Sequence, residues 1–157
     1  MYETLNSCRW RTIAIALVLV AAMADAQDNA QLVNDRQKIM KAQGIDNKTV
    51  NDYAKGRVPK AAAEKAIANL QASSDMMLGL FSESSTSSAA MPGVSNAKAN
   101  IWTEREKFEV FVAQLKVLAD KQADLITSGT PVAVGIAQAE LGKSTCSGCH
   151  DVFREPR

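Results

Sequence analysis

Near its end the chain carries the run Cys146-Ser147-Gly148-Cys149-His150, followed only by Asp151 to Arg157. On a helix, residues three and four positions apart share a face, so both cysteines and the histidine can meet one neighbour. C-x-x-C-H is the sequence signature of c-type haem attachment, with the cysteines bonded to the haem vinyl groups and the histidine beside the iron. The run therefore predicts one covalent haem c, attached at Cys146 and Cys149 and ligated by His150.

Two other chemistries use cysteines at this spacing. A dithiol redox pair usually accompanies a βαβ pattern, which this sequence lacks. A zinc site normally takes four nitrogen or sulfur ligands, and apart from this run the chain has only Cys8. A colourless protein, made in a host able to attach haem, would favour a thiol or zinc protein over a haem protein.

The beginning of the chain has the layout of a secretory signal peptide. Two arginines precede an apolar run over residues 12–22, and two Ala-x-Ala sites follow it. An uncleaved membrane anchor is the alternative, but the run is shorter than the roughly 20 apolar residues that a span needs. We expect residues 1–26 to be removed before Gln27, which leaves a periplasmic domain over residues 27–157 and eliminates Cys8.

Length and charge restrict the rest of the chain. A length of 157 residues suits one domain, and a formal net charge of +1 gives no indication of nucleic acid or an anionic surface as a partner.

Four stretches have helical periodicity. The first runs from Asp28 to Gln43 and is expected to stop at Gly44, because glycine is a common C-cap residue. Residues 46–55 have a weaker helical periodicity. We expect them either to continue the first helix after a break or to form a connection to the second. The other three helices are predicted to start at Val58-Pro59, at a capping box over residues 103–106, and at Thr130-Pro131.

Between the second and third helices, over residues 82–99, the composition changes to Ser, Thr, Ala, Pro and Gly with few charges, which predicts a long loop. We expect this segment to be either an ordinary mobile surface loop or a crossover that covers part of the end where the haem is attached. The pattern as a whole predicts an all-α protein: an antiparallel four-helix bundle with the haem near one end.

The second iron ligand must come from upstream of the haem run, because His150 is the only histidine and no methionine follows it. Met91 lies in the loop, which is a poor platform for a fixed bond. Met40 lies on the inward stripe of the first helix, and Met76 and Met77 lie near the end of the second. Each could equally be core packing, where methionine is an adaptable filler.

Arg36 is an unusual residue on the same inward stripe as Met40. Its stem could lie along the bundle with the charge in water. Alternatively, its guanidinium could donate to a haem propionate, because arginine suits carboxylate pairing.

Several segments give the chain a resemblance to a known family. They are Arg36 to Lys41 in the first helix, Ile101-Trp102 with the charged residues after it, and Gly142-Lys143 through His150 to Phe153-Arg154. With these segments the chain resembles class II c-type cytochromes, the cytochrome c′ family, and is most similar to their low-spin branch, cytochrome c-556. The resemblance covers essentially the whole of residues 27–157.

The resemblance implies thioethers at Cys146 and Cys149, His150 as proximal ligand and Met40 in the distal position. In the low-spin branch that methionine ligates the iron and the protein carries single electrons. In cytochrome c′ itself the distal site is open and binds nitric oxide or carbon monoxide.

We favour the electron carrier over the gas-binding alternative, because the Arg36 to Lys41 segment and the Trp102 region look more like the low-spin branch. An enzyme is not expected, since the sequence shows no catalytic constellation. Arg36 and Arg154 are candidates for propionate contacts. The expected partners are periplasmic or membrane-bound redox proteins, with a homodimer as a candidate assembly.

Overall fold

The computed structural model of the chain describes the backbone of residues 6–156 and the side chains of residues 28–156. Its main helices are α1 (Asn6–Ala54), α2 (Lys60–Leu80), α3 (Asn100–Thr103), α4 (Arg105–Ser128), α5 (Pro131–Leu141) and α6 (Gly148–Phe153). A 3₁₀ turn spans Ser84–Thr86, and a π-helical segment, Gly142–Ser147, joins α5 to α6. The predicted all-α class is confirmed.

The helices form the predicted four-helix bundle. α1 packs against α2 and α5, and α4 packs against the same two helices from the other side. The fourth member of the bundle consists of α5, the π-helical segment and α6 in succession, and it carries the C-x-x-C-H run. The loop over residues 82–99 connects the second and third members, as the sequence predicted.

The prediction that the first helix stops at Gly44 is wrong, because α1 continues to Ala54. A glycine inside a helix costs about 1 kcal/mol relative to alanine. That cost is offset beyond it, where Val50 is only 1 % exposed in the core against α2 and α5. The chain turns instead at Gly56, whose positive φ of 69° favours glycine.

The predicted signal peptide, residues 1–26, lies outside the residues whose side chains the structure describes, so its removal stays a prediction. Among the described residues, no helix combines the length and the apolar character needed to cross a bilayer.

Of the three predicted helix starts, the one at Val58-Pro59 agrees closely, since α2 begins at Lys60 with Pro59 as its N-cap, and the other two had opposite outcomes. Thr130 caps α5 as predicted, because its hydroxyl accepts a hydrogen bond from the Ala133 N–H at 3.3 Å ahead of Pro131. The predicted capping box at Thr103 is wrong: the chain breaks at Glu104, which caps α4 without a side-chain hydrogen bond. Arg105, the first residue of α4, donates instead to the Phe81 carbonyl at 2.8 Å and so ties α4 to the end of α2.

The interior divides into two clusters. The first, here called the aliphatic core, contains buried side chains without an aromatic ring: Val50, Ala63, Ala66, Ile67, Leu70, Leu115, Ala119, Ile126, Val134 and Leu141. The second, the aromatic core, contains Met77, Leu80, Phe81, Ala97, Ile101, Phe108, Val112 and Phe153. Both clusters take side chains from α2 and α4 and lie one after the other along them. The aliphatic core adds α1 and α5, and the aromatic core adds the 82–99 loop, α3 and α6.

Candidate functional site

A cavity of about 680 Å³ opens beside the aromatic core. Its walls come from α1, the 82–99 loop, α4 and α6, and include the predicted residues Arg36, Met40, Cys149, His150 and Arg154. This volume lies in the range of protein ligand pockets. The structure thus brings five of the six predicted site residues to one cavity.

The sixth predicted residue, Cys146, lines a smaller adjoining cavity of about 40 Å³, together with Cys149 and His150. Both cysteines are free thiols. Cys146 packs against the aliphatic core and Cys149 against the aromatic core, so the run lies on the border between the two. Both cysteines and the histidine nevertheless line the smaller cavity together.

Burial alters the acidity of both thiols. The pKa of Cys146 is raised by desolvation, and that of Cys149 is raised to about 11, by burial first and by the neighbouring Cys146 second. Neither sulfur is therefore held as a thiolate at neutral pH, which disfavours a dithiol redox centre of the kind that needs a lowered pKa. Within the described residues no group of three or more His, Cys, Asp or Glu is placed to hold a metal ion by itself.

The methionines separate clearly by position. Met40 lines both cavities together with His150. Met77 is buried in the aromatic core and lines only the smaller cavity, whereas Met76 is 51 % exposed on the outside of α2. Among the methionines whose side chains the structure describes, Met40 is thus the one that reaches the main cavity beside the histidine.

Arg36 does not extend its charge into water, since it is 4 % exposed. Its guanidinium donates to the Thr86 hydroxyl at 3.2 Å, to the Thr86 carbonyl at 3.1 Å and to the Ser95 hydroxyl at 2.9 Å. It also lies 4.6 Å from the centre of the Phe81 ring. Burial lowers its pKa to about 10. The surface interpretation of Arg36 is therefore wrong, and a contact with a propionate stays a prediction.

The 82–99 loop packs against the site. Thr86, Ser87 and Ser95 are buried, and Ala97 lines the cavity. The backbone around Ala97 pairs with the C-terminal tail: the Lys98 N–H donates to the Phe153 carbonyl, and the Glu155 N–H to the Asn96 carbonyl, each at 2.9 Å. Of the two sequence interpretations, the one in which the crossover covers this end of the bundle agrees with the structure.

Aromatic side chains complete the wall. Phe108 lies edge to face with Phe81 and Phe153, with ring centres 4.9 and 5.5 Å apart. No sequence pattern indicated that Phe108, Asn96 or Ala97 faces a cavity. The loop has no periodicity from which a facing side could be read.

Comparison with known proteins identifies this arrangement. The family model described as Cytochrome C′ matches residues 31–154. The chain belongs to the cytochrome c′ family. The predicted resemblance is confirmed, and the cofactor is a covalently bound haem c, as in the family.

Relatives of both branches are similar to the chain. A cytochrome c′ from Pararhodospirillum photometricum is 31 % identical over 124 residues, covering 78 % of this chain and 95 % of the relative. A cytochrome c-556 from Rhodopseudomonas palustris is 29 % identical over 145 residues, covering 91 % and 94 %. The solved cytochrome c′ from Rhodobacter spheriodes, 23 % identical, has a TM-score of 0.73 and covers 82 % of this chain and 98 % of its own.

The residues present suit haem c. Two free cysteines and a histidine share a wall, the remaining lining is largely apolar and aromatic, and the volume is adequate for a large planar ligand. Two buried or half-buried arginines, Arg36 and Arg154, lie in the same wall and could hold the acidic edge of the group.

Proposed function

We propose that this cytochrome c′ family protein carries single electrons, with His150 and Met40 as the two protein ligands of its haem iron and Cys146 and Cys149 as the thioether residues. The observation that carries the proposal is the shared cavity: Met40 is the mature methionine that lines the main cavity together with His150. Bound haem supplies the one-electron chemistry.

The side chains of the chain set the conditions for that chemistry. A thioether sulfur is a soft, neutral ligand, and a methionine paired with histidine raises the reduction potential. Met40 lies inside α1, fourteen residues before its last residue, Ala54, so its sulfur is carried by a helix rather than by a loop. The Phe81, Phe108 and Phe153 rings exclude water from one side of the cavity. With Met40 and His150 both bound, the iron would keep the same ligands in both oxidation states, which suits single-electron transfer.

An open distal site that binds nitric oxide or carbon monoxide is the second candidate. The chain is nearly as similar to a cytochrome c-556 as to a cytochrome c′, so relatedness alone does not favour either. The cavity is compatible with both candidate functions, because Met40 could pack beside the iron without bonding to it. The two candidates differ in one property, whether the Met40 sulfur ligates.

Substitution of Met40 by alanine separates the two candidates. We expect the wild-type absorption spectrum to be low-spin in both oxidation states, and the Met40→Ala spectrum to become high-spin. The matched control is Met77→Ala, which removes a buried methionine from the smaller cavity and should leave the spectrum low-spin. A low-spin Met40→Ala protein would overturn the ligand assignment. Prompt binding of carbon monoxide to the reduced wild-type protein would favour the gas-binding candidate.

We further propose a periplasmic location and periplasmic or membrane-bound redox partners, supported by the family and by the signal-like residues 1–26. Homodimer formation remains a prediction from the same resemblance. N-terminal sequencing of the exported protein tests the cleavage before Gln27, and a chain that begins at Met1 would contradict it.

A further inference from the structure

The fourth member of the bundle has an unusual spacing of inward residues. Leu141, Thr145 and Phe153 are each at most 2 % exposed, and Cys149 lines the haem cavity between the last two. These four residues are separated by three successive steps of four positions. All four nevertheless contribute to the same interior side of the molecule.

An uninterrupted α-helix could not keep that alignment. At 3.6 residues per turn, each four-residue step overshoots a full turn by about 40°, so three steps accumulate about 120°. A π-helical turn is wider, because its hydrogen bonds span five residues instead of four. The segment Gly142–Ser147 is such a turn, and the Gly148 N–H donates to the Lys143 carbonyl five residues earlier. The wider turn absorbs part of the drift before Cys149.

Two adjacent hydroxyls mark the place where the α-helical bonding pattern changes. Ser144 Oγ donates to the Glu140 carbonyl at 2.7 Å, and Thr145 Oγ1 donates to the Leu141 carbonyl at 2.6 Å. Hydroxyl bonds to the carbonyl four residues earlier often bend helices. Here the two hydroxyls bond to the last two carbonyls of α5. These carbonyls therefore have hydrogen-bond donors at the point where the backbone changes from α-helical to π-helical bonding.

Close packing on the opposite side reinforces the turn. A Cβ on Gly148 would lie 3.2 Å from Cε1 of Phe111 and 3.5 Å from the Lys143 carbonyl oxygen, so the glycine lets the end of the turn approach α4. At Gly142 an added Cβ would meet nothing within 4 Å. The glycine between the two cysteines thus has a packing reason that the glycine at the start of the segment lacks.

We propose that the π-helical segment is a positioning device that directs Cys149 and His150 into the haem cavity, and that the Thr145 hydroxyl, with Ser144, selects it over a continuous α-helix. The proposal deepens the proposed function, since it rests on haem attachment at Cys146 and Cys149. Thr145 acts as a positioning residue through the backbone and the two groups that follow it.

The test uses the haem-loaded, exported protein. Thr145→Val keeps the shape of the side chain and removes the hydroxyl, whereas Thr145→Ser keeps the hydroxyl and removes the methyl group. Loss of one net hydrogen bond should speed amide hydrogen exchange in residues 142–148 about fivefold, without a comparable change in α2 or α4. The Soret circular dichroism should change with Thr145→Val, because the haem environment rotates, and return with Thr145→Ser. Ser144→Ala should produce the same local effect to a smaller degree.

Three outcomes would overturn the proposal: unchanged exchange in Thr145→Val, equal acceleration throughout the chain, or the same change in Thr145→Ser, which would assign the effect to methyl packing. If Thr145→Val is not exported, Ser144→Ala alone decides, and unchanged exchange in residues 142–148 overturns the proposal. The mass of the wild-type protein tests the proposed function separately. A chain without added haem would refute attachment, while the exchange comparison would still report on the turn.

Discussion

The aliphatic core and the aromatic core both use α2 and α4 but have different roles in the molecule. In the aliphatic core, small and branched side chains pack so closely that several, such as Ala63, Val134 and Leu141, are fully buried. The aromatic core holds rings edge to face and keeps a large cavity open beside them. The comparison indicates that the protein separates the part that holds the bundle together from the part that holds the cofactor, with the C-x-x-C-H run across the border.

The largest effect on stability is expected at the aliphatic core. Ile126 is 1 % exposed, and Ile126→Ala should lower the free energy of unfolding by about 2–5 kcal/mol through lost burial and the cavity left behind. Denaturant titration measures the loss. The control Val117→Ala, on the same helix and 64 % exposed, should have little effect.

The same variant tests whether the two cores are independent. The haem absorption spectrum of native Ile126→Ala protein should match that of the wild type. A shifted spectrum would show that packing at one end of the bundle controls the site at the other.

An intermediate effect is expected in the aromatic core. Phe108→Leu removes the edge-to-face contacts with Phe81 and Phe153 and should cost about 2 kcal/mol in the free energy of unfolding. Unlike Ile126→Ala, it should also alter the haem spectrum, because the Phe108 ring lines the cavity. The comparison of the cores would fail if the spectrum were untouched while stability fell.

The next smaller effect concerns the loop that closes the aromatic end. Arg36→Met keeps a long side chain but removes the donors to Thr86 and Ser95, and should cost about 1–2 kcal/mol. Limited proteolysis should then cut within residues 82–99 sooner than in the wild type. The control Arg57→Met removes an exposed arginine at the other end of the bundle. Equal protease resistance in the two variants would refute the role of Arg36 in holding the loop.

The smallest effect is a pH dependence near the aliphatic core. The pKa of Asp52 is lowered, chiefly by its hydrogen bond to Lys48 and further by Arg57. A carboxyl with a lowered folded-state pKa contributes stability above its unfolded-state value of about 3.9 and loses it as the pH falls through the folded value. The difference in stability between the wild type and Asp52→Asn should therefore be present at neutral pH and shrink below about pH 4. Thermal unfolding at several pH values measures it, and a constant difference would contradict the assignment.

The sequence predicted those features that depend on local signals. Thr130-Pro131 starts α5 because a cap and a first-turn proline act within one turn. Cys146, Cys149 and His150 lie within five residues, so their closeness follows from their spacing, although Cys146 belongs to a π-helical segment that the sequence did not predict. The prediction that the first helix ends at Gly44 is wrong because the burial of Val50 stabilises the longer helix by more than one glycine destabilises it.

Other features depend on partners that are distant in sequence. The burial of Arg36 is set by Thr86 and Ser95, which lie 50 and 59 residues away. The failed capping box at Thr103 has a similar cause, since the start of α4 is fixed by the contact of Arg105 with the end of α2. No periodicity in one segment can report such contacts.

The pairing of the C-terminal tail with the loop near Ala97 has a consequence for how the protein is made. Translation starts at the N-terminus, so Cys146, Cys149 and His150 are synthesised after α1, α2, α4 and α5. A chain interrupted before Cys146 contains those helices but neither the haem-attachment residues nor Phe153 and Glu155, whose backbones pair with the loop. Such a fragment therefore stays colourless, and the absorbance of attached haem separates it from chains that extend through this run.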